Sequence, residues 1–306
     1  MDFRGAFQEV PQAMFRIETI RAGRYTLYVE TLGRPAAEAC VLIPGAMQGA
    51  WGWSDGFCRP LVLAGWYVVR FDHRDIGRSS TSAPGAEYSW ADLGEDVIAI
   101  LDGLGIAKAH LVGHSMGGHI AQHLALAHGD RVLGLGLIAS GPLGATAETG
   151  KPLTAEEQAA NAAIWETMMA RRDSPDPEAQ LRGYLEVYRA LSGSLPLDED
   201  LARWYVTQML LHCRPGDLRP GNPHERLMRR LGETLEERAG LLARIRVPTL
   251  VIHGERDPLA LPRFARSMAE TIPGARLELI PGMGHMFLDR ELEQRLARLV
   301  LGHLEV

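Results

Sequence analysis

Three stretches of this 306-residue chain hold residues whose types and spacing suit nucleophilic chemistry. Leu111-Val112-Gly113-His114-Ser115-Met116-Gly117-Gly118 reads as a short apolar strand, then Gly-x-Ser-x-Gly, then the start of a helix over His119 to His128. A serine on such a strand-to-helix turn has its hydroxyl lifted above the sheet, and the flanking glycines leave room for a strained backbone. A serine hydroxyl is a poor nucleophile at neutral pH and needs an adjacent base, itself oriented by an acid. Two strand ends downstream supply such groups. Thr249–His253 runs into Gly254-Glu255-Arg256-Asp257-Pro258, and Leu277–Ile280 runs into Pro281-Gly282-Met283-Gly284-His285.

Each candidate has competitors. Eleven histidines are present. His119 and His123 lie four apart on the helix after Ser115, a spacing open to a metal, but no third ligand is evident and packed helix positions explain them more simply. His114 fills a variable position of the serine turn and is a candidate pocket contact, yet is too close in sequence to swing onto Ser115 as base. His253 sits inside a strand, and His73 belongs to another loop at the same sheet edge. His285, in a glycine-loosened loop after the last strand, is the best base. Asp257 competes with Glu255 and Asp289 for the acid, and its place before Pro258 at a strand end favours it. The charged loop Asp72–Ser79 reads as structural, with Asp72, Arg74 and Asp75 paired to hold it.

The elements that must position these groups alternate. Phe15–Ile20 and Tyr25–Thr31 read as paired strands about Ala22-Gly23-Arg24. Strands then follow at Cys40–Ile43, Trp66–Asp72, His110–Gly113 and Arg131–Ala139, with helices at Trp53–Ala64, Asp92–Leu104 and Gly117–His128. Such alternation implies a mostly parallel sheet with helices on both faces, an α/β fold of eight strands. Between Leu143 and Arg246 the strand signal stops and helices alone are read. The pattern resumes with Val247–His253, Pro262–Thr271, Arg276–Ile280 and Leu288–His303. The expected organisation is an α/β core over 1–142 and 247–306, with a helical cap over 143–246 inserted between the sixth and seventh strands. Trp165, Met168, Met169, Tyr184, Tyr188, Trp204 and Met209 in that insertion suit helix packing one by one, and together suggest an apolar cavity.

Composition narrows the function classes. Hydrophobic residues make up 46% and charged residues 23%, as in an ordinary globular protein. The net charge of −6 argues against a nucleic-acid partner. Thirty of the 32 basic residues are arginine, which points to a GC-rich bacterial coding background rather than a binding surface. Cys40, Cys58 and Cys213 are an odd, widely spaced set, read as reduced thiols in the cytoplasm. No apolar run opens the chain as a signal peptide would, and none reaches the roughly 20 residues of a membrane span. Gly113–Gly118 lacks both the G-x-G-x-x-G order and a Gly-Lys-Ser/Thr ending, so no cofactor is expected, and with no third ligand beside His119 and His123 no metal is expected either.

These motifs, in the chain order Ser115, Asp257, His285, resemble the α/β-hydrolase superfamily. The resemblance takes in Leu42-Ile43-Pro44-Gly45-Ala46, Phe71 to Ser79, the Ser115 turn, Val247 to Ile252 and the Asp257 and His285 loops. Asp72-His73-Arg74-Asp75-x-Gly-Arg-Ser, Leu101-Asp102-Gly103 and Ile280 to His285 resemble, more narrowly, the aclacinomycin methylesterases, serine esterases that remove a methyl ester from a polyketide. The resemblance implies an oxyanion hole from the backbone N–H groups of Met116 and Ala46, with Met47 the alternative second donor. Pro44 stands where the commoner pattern has histidine. The expected activity is hydrolysis of a carboxylic ester of an apolar small molecule through an acyl-enzyme. Met47, His114, Trp165, Met169, Tyr188 and Met209 are the expected substrate contacts. Thioesterase, lactonase, carbon–carbon hydrolase and acyltransferase chemistry share the same triad, and a weakly catalytic binding protein is the alternative of another class.

Overall fold

The computed structural model describes residues 14–305 apart from 84, 170–175, 215, 216, 218–220, 234–237 and 239. Eight strands form one sheet in the order β1-β2-β4-β3-β5-β6-β7-β8. They are β1 (Phe15–Ala22), β2 (Tyr25–Leu32), β3 (Ala39–Ile43), β4 (Tyr67–Phe71), β5 (Ala109–His114), β6 (Val132–Ile138), β7 (Thr249–Gly254) and β8 (Arg276–Ile280). β1 and β2 form a hairpin in which Ala22 faces Tyr25, and the turn between them places Gly23 at φ +57°. β2 runs antiparallel to both β1 and β4, and the remaining pairings are parallel. The parallel strands are continuous apolar runs because both faces are covered: Ala39-Cys40-Val41-Leu42-Ile43 is buried throughout.

Helices α1 (Asp55–Leu63) and α9 (Arg290–Leu304) pack together over one face. Their Phe57, Leu61, Leu296 and Val300 join Cys40, Leu42, Val68 and Ile252 of the sheet in one apolar cluster. Helices α2 (Trp90–Gly103), α3 (Met116–Ala127) and α8 (Pro262–Thr271) cover the other face, where Val97, Ile120 and Met268 meet Val41, Val69 and Leu111. Start signals are local. Ser54 caps α1 by accepting from Phe57 N–H, Ser89 and Asp92 form a reciprocal capping box on α2, and Asp289 caps α9 by accepting from Leu292 N–H.

Between β6 and β7 the described elements are helical: α4 (Ala155–Met169), α5 (Pro177–Leu191), α6 (Glu199–His212) and α7 (Pro223–Glu233), followed by one short turn of 3₁₀-helix at Leu242–Arg244. Ile164, Leu185, Tyr188, Leu191, Tyr205 and Met209 of these helices form a third apolar cluster with Trp51, Ile76, Met286 and Leu288 of the core. Polar ties fasten the insertion as well. Gly77 N–H donates to Asp217, and Arg214 donates to the Ser79 carbonyl. The backbone of Gly282 to Met286 is hydrogen-bonded to Leu191–Leu195 at the end of α5.

The Asp72–Ser79 loop is structural, but its charges are not paired with one another. Arg74 forms a bidentate ion pair with Asp96 of α2, both bonds at 2.6 Å. Asp72 instead accepts the N–H groups of Ala50 and Arg78, and Asp75 accepts from Ser82. Apart from the Arg78 N–H, which is within the loop, the partners lie on α2 and in neighbouring segments because the loop packs between them, where its own charges would otherwise be desolvated without compensation.

Candidate active site

The turn between β5 and α3 needs its glycines for close backbone approach. A Cβ on Gly113 would overlap the backbone of Gly117 and Gly118, and a Cβ on Gly117 would overlap the Ile43 carbonyl oxygen. Packed this tightly, Ser115 is held at φ +51°, ψ −117°, a conformation unfavourable for a residue with a side chain and found where the surroundings over-determine it. Its N–H donates to the Ile138 carbonyl of β6 at 2.9 Å, and its carbonyl accepts from Gly118 N–H. The hydroxyl therefore stands at the carboxyl end of the sheet, where open parallel sheets gather their ligands.

Asp257 follows β7 and His285 follows β8, neighbouring strands at the same sheet end. His285 Nδ1–H donates to Asp257 Oδ2 at 2.8 Å, and its Nε2 lies 3.0 Å from Ser115 Oγ. With the proton fixed on Nδ1 by the carboxylate, Nε2 is left to accept from the serine hydroxyl. Asp257 is buried, and burial pushes its carboxyl up. His285, His253 and the Ala260 N–H outweigh that effect and hold it below the ordinary carboxylate range. Its Oδ1 accepts the Leu259 and Ala260 N–H groups at 2.8 and 2.9 Å. The two rival acids are placed otherwise: Asp289 is committed to the α9 cap, and Glu255 is exposed.

The other histidines have structural contacts. His253 Nε2–H donates to the Ala260 carbonyl and lies 3.4 Å from Asp257 Oδ2. His114 Nε2–H donates to the His285 carbonyl at 3.0 Å, and burial pushes its pKa down to about 3, so the ring is neutral. His119 packs against Trp90, with Nδ1 3.2 Å from the Ser115 carbonyl.

Ser115 and His285 open into a cavity of about 640 Å³, within the range that holds a drug-sized ligand. Among the residues named from sequence, Ala46, Met47, His114, Tyr188 and Met209 also line it. Tyr188 Oη–H donates to Met209 Sδ, joining α5 to α6 along one wall. Asp257 and Met116 do not line the cavity; they are buried behind it. Trp165 and Met169 fall on α4, with side chains outside the described residues. The walls are mainly apolar, with Met286, Leu259 and Phe264 added to those above, while Glu225, Arg226 and Arg229 of α7 stand at the charged part of the lining.

Gly45 to Gln48, in the loop after β3, line the same cavity. Met47 N–H donates to His224 Nδ1 at 2.9 Å, so the alternative oxyanion donor is already engaged. Among the described residues, Ala46 N–H has no hydrogen-bond acceptor, and Met116 N–H, at the first position of α3, is one that a helix leaves unpaired. Sequence reading missed Gln48, whose Oε1 accepts Gly45 N–H, and Asn161, which lines the cavity and reaches the Pro258 carbonyl. It also missed His224. Neither Asn161 nor His224 carries a local motif, since their partners lie 97 and 177 residues away.

Comparison with known proteins agrees with this architecture. A family model described as the alpha/beta hydrolase family matches residues 40–299. Rhodomycin D methylesterase DnrP of Streptomyces peucetius is 34% identical over 288 residues, covering 91% of this chain and 94% of that protein. The crystal structure of a hydrolase from Pseudomonas aeruginosa PA01 superposes with a TM-score of 0.69 at 26% identity, covering 95% of this chain and 99% of that one. An esterase from Exiguobacterium antarcticum has the same fold, with a TM-score of 0.70 at 24% identity, covering 94% and 99% of the two chains. On its strand order, its Ser115 turn and these matches, the chain belongs to the alpha/beta hydrolase family.

Proposed function

We propose that Ser115, His285 and Asp257 form a catalytic triad that cleaves a carboxylic ester of an apolar small molecule through an acyl-enzyme. The protein is a carboxylic ester hydrolase, like the methylesterase and esterase relatives that its sequence and fold match. The observation that carries the finer reading is the hydrogen-bonded chain from Asp257 through His285 to Ser115 at the floor of a large apolar cavity. His285 Nε2 takes the hydroxyl proton as Ser115 Oγ bonds to the ester carbonyl carbon. The carbonyl oxygen becomes an oxyanion, for which Met116 and Ala46 supply backbone N–H donors. His285 then gives its proton to the departing alkoxide, so the alcohol leaves and the acyl group stays on Ser115. Water, deprotonated by the same imidazole, attacks the acyl carbon and releases the acid with Ser115 restored. Asp257 holds the ring and stabilises its charged form.

Helices α4–α7, within residues 143–246, act in this reading as the cap that selects the substrate. The cavity has room for a bulky apolar substrate, and the methylesterase relative supports a methyl ester, hence a small alcohol with the bulk on the acyl side. The chemistry requires only water as co-substrate, and a cytoplasmic setting accords with three thiols in no disulfide. A panel varying acid bulk and alcohol size separately tests this. Methyl esters of polycyclic aromatic acids are predicted to give the highest kcat/KM, and Ser115→Ala to lower kcat by about 10⁴–10⁶-fold. A preference for long-chain acyl groups, for thioesters or for lactones would overturn the substrate reading. Near-normal turnover by Ser115→Ala would overturn the mechanism.

A further inference from the structure

In the loop after β3, the polar backbone groups on either side of Ala46 are committed. His73 Nε2–H donates to the Pro44 carbonyl at 2.9 Å, Gly45 N–H donates to Gln48 Oε1, and Gln48 N–H returns to the Gly45 carbonyl. Met47 N–H donates to His224 Nδ1 at 2.9 Å. Among the described residues, the Ala46 N–H alone in this stretch is left without an acceptor. Met47 itself takes φ +60°, a left-handed conformation that an L residue with a side chain adopts only when its surroundings hold it there.

The group that holds it comes from the insertion. His224 lies in the first turn of α7, and its ring is completely buried, edge-on to the rings of His73 and Tyr88. Its Nε2 is 3.2 Å from the Arg74 carbonyl, which can only accept, so Nε2 carries the proton and Nδ1 is free to accept from Met47. Burial pushes the ring's pKa down to about 4 and so keeps this tautomer neutral.

We propose that His224 is a positioning residue for the hydrolysis: from inserted helix α7 it pins the Met47 turn and so keeps the Ala46 N–H available to the oxyanion formed at Ser115. The proposal rests on the acyl-enzyme reading above. It makes α7 part of the oxyanion machinery as well as a wall of the substrate cavity. A donor displaced by a fraction of an ångström stabilises the transition state less while leaving substrate affinity nearly intact.

Two polar substitutions separate the halves of the imidazole. His224→Asn places an amide oxygen near the Nδ1 position and keeps an acceptor for Met47. His224→Gln reaches the Arg74 carbonyl but leaves Met47 N–H without its partner, and His224→Leu removes both bonds. With 4-nitrophenyl butyrate as substrate, His224→Gln and His224→Leu are predicted to lose kcat by about 10–100-fold with KM within about threefold, and His224→Asn to stay within about threefold of the parent. Backbone amide exchange at Met47, which needs no turnover, is predicted to remain slow in His224→Asn and to become fast in His224→Gln. Should His224→Leu fail to fold, the Asn and Gln pair carries the comparison. Retention of kcat by His224→Gln, equal loss in Asn and Gln, a rise in KM alone, or unchanged exchange at Met47 would each overturn the proposal. Ser115→Ala assayed alongside distinguishes this from failure of the acyl-enzyme reading, because only that failure leaves Ser115→Ala active.

Discussion

Ser115, His285 and Asp257 were legible because each follows a strand of a regular β/α alternation. A parallel sheet brings strand ends to one edge however far apart they lie in sequence. The acid was the least secure of the three, and hydrogen bonding separates it from its rivals: Asp289 caps a helix, whereas Asp257 faces His285 Nδ1. Asp257→Asn would place an amide where a carboxylate now fixes the proton on Nδ1, so His285 would present the wrong tautomer to Ser115. A fall in kcat of about 10³–10⁴-fold at neutral pH, with KM little changed, is the expected outcome in steady-state assays. A loss of less than tenfold would show that His285 is oriented without it. The second oxyanion donor was open between Ala46 and Met47 because one backbone N–H looks like another in sequence. What distinguishes the two is a histidine 177 residues further along the chain, which engages the Met47 N–H.

At the scale of elements, the serine turn was the most legible feature because its constraint is local: Gly113 and Gly117 stand where any side chain would strike backbone. Gly117→Ala would push α3 away from Ile43 and the adjoining loop, since a carbonyl in a paired strand cannot yield as a flexible side chain could. A loss of stability of about 1–3 kcal/mol or more in urea unfolding, with a fall in kcat, is the predicted result. Unchanged stability and rate would show that the turn tolerates a Cβ. The Asp72–Ser79 loop was read as structural, but with the wrong partners. Its charges are adjacent in sequence, yet Arg74 reaches across to Asp96 on α2, where both side chains are nearly inaccessible to water. Asp96→Ala leaves that guanidinium buried and unpaired, and is predicted to destabilise the protein by about 3–5 kcal/mol. Replacing both partners with apolar residues of matching size should cost far less, a contrast that a double-mutant cycle in urea would measure.

Across the whole molecule, the helical character of the insertion was readable from apolar spacing, while the side chains facing the cavity were not, because packed and pocket-lining residues share one composition. The insertion is tied to the core at the Asp72–Ser79 loop, at Met47 and along Gly282 to Met286. Buried titratable groups in the core and at these contacts set a pH profile for stability. Burial pushes His73 and His114 down to about 3, and His119 and His224 down to about 4. Below the ordinary histidine value of 6.5 the unfolded chain takes up protons that these folded rings refuse, so stability falls as pH falls. Glu293, buried against Ser54, acts in the opposite sense. Burial raises its carboxyl to about 8, so up to that pH the folded protein keeps a proton the unfolded chain has lost, and stability falls as pH rises. Asp72, raised to about 6, adds to this below that pH, but the four histidines outnumber the two carboxyls there. Thermal unfolding is predicted to show a maximum near pH 7, with Glu293→Gln flattening the fall between 7 and 8; a wild-type midpoint constant over that interval would contradict this. The claim that joins these scales is that Ser115 is a nucleophile activated by His285. Incubation with a fluorophosphonate, followed by intact-mass measurement and peptide mapping, tests it most directly. One adduct per chain, located on Ser115 and formed far more slowly in His285→Ala, is the predicted result; no adduct, or one on another residue, would contradict the account.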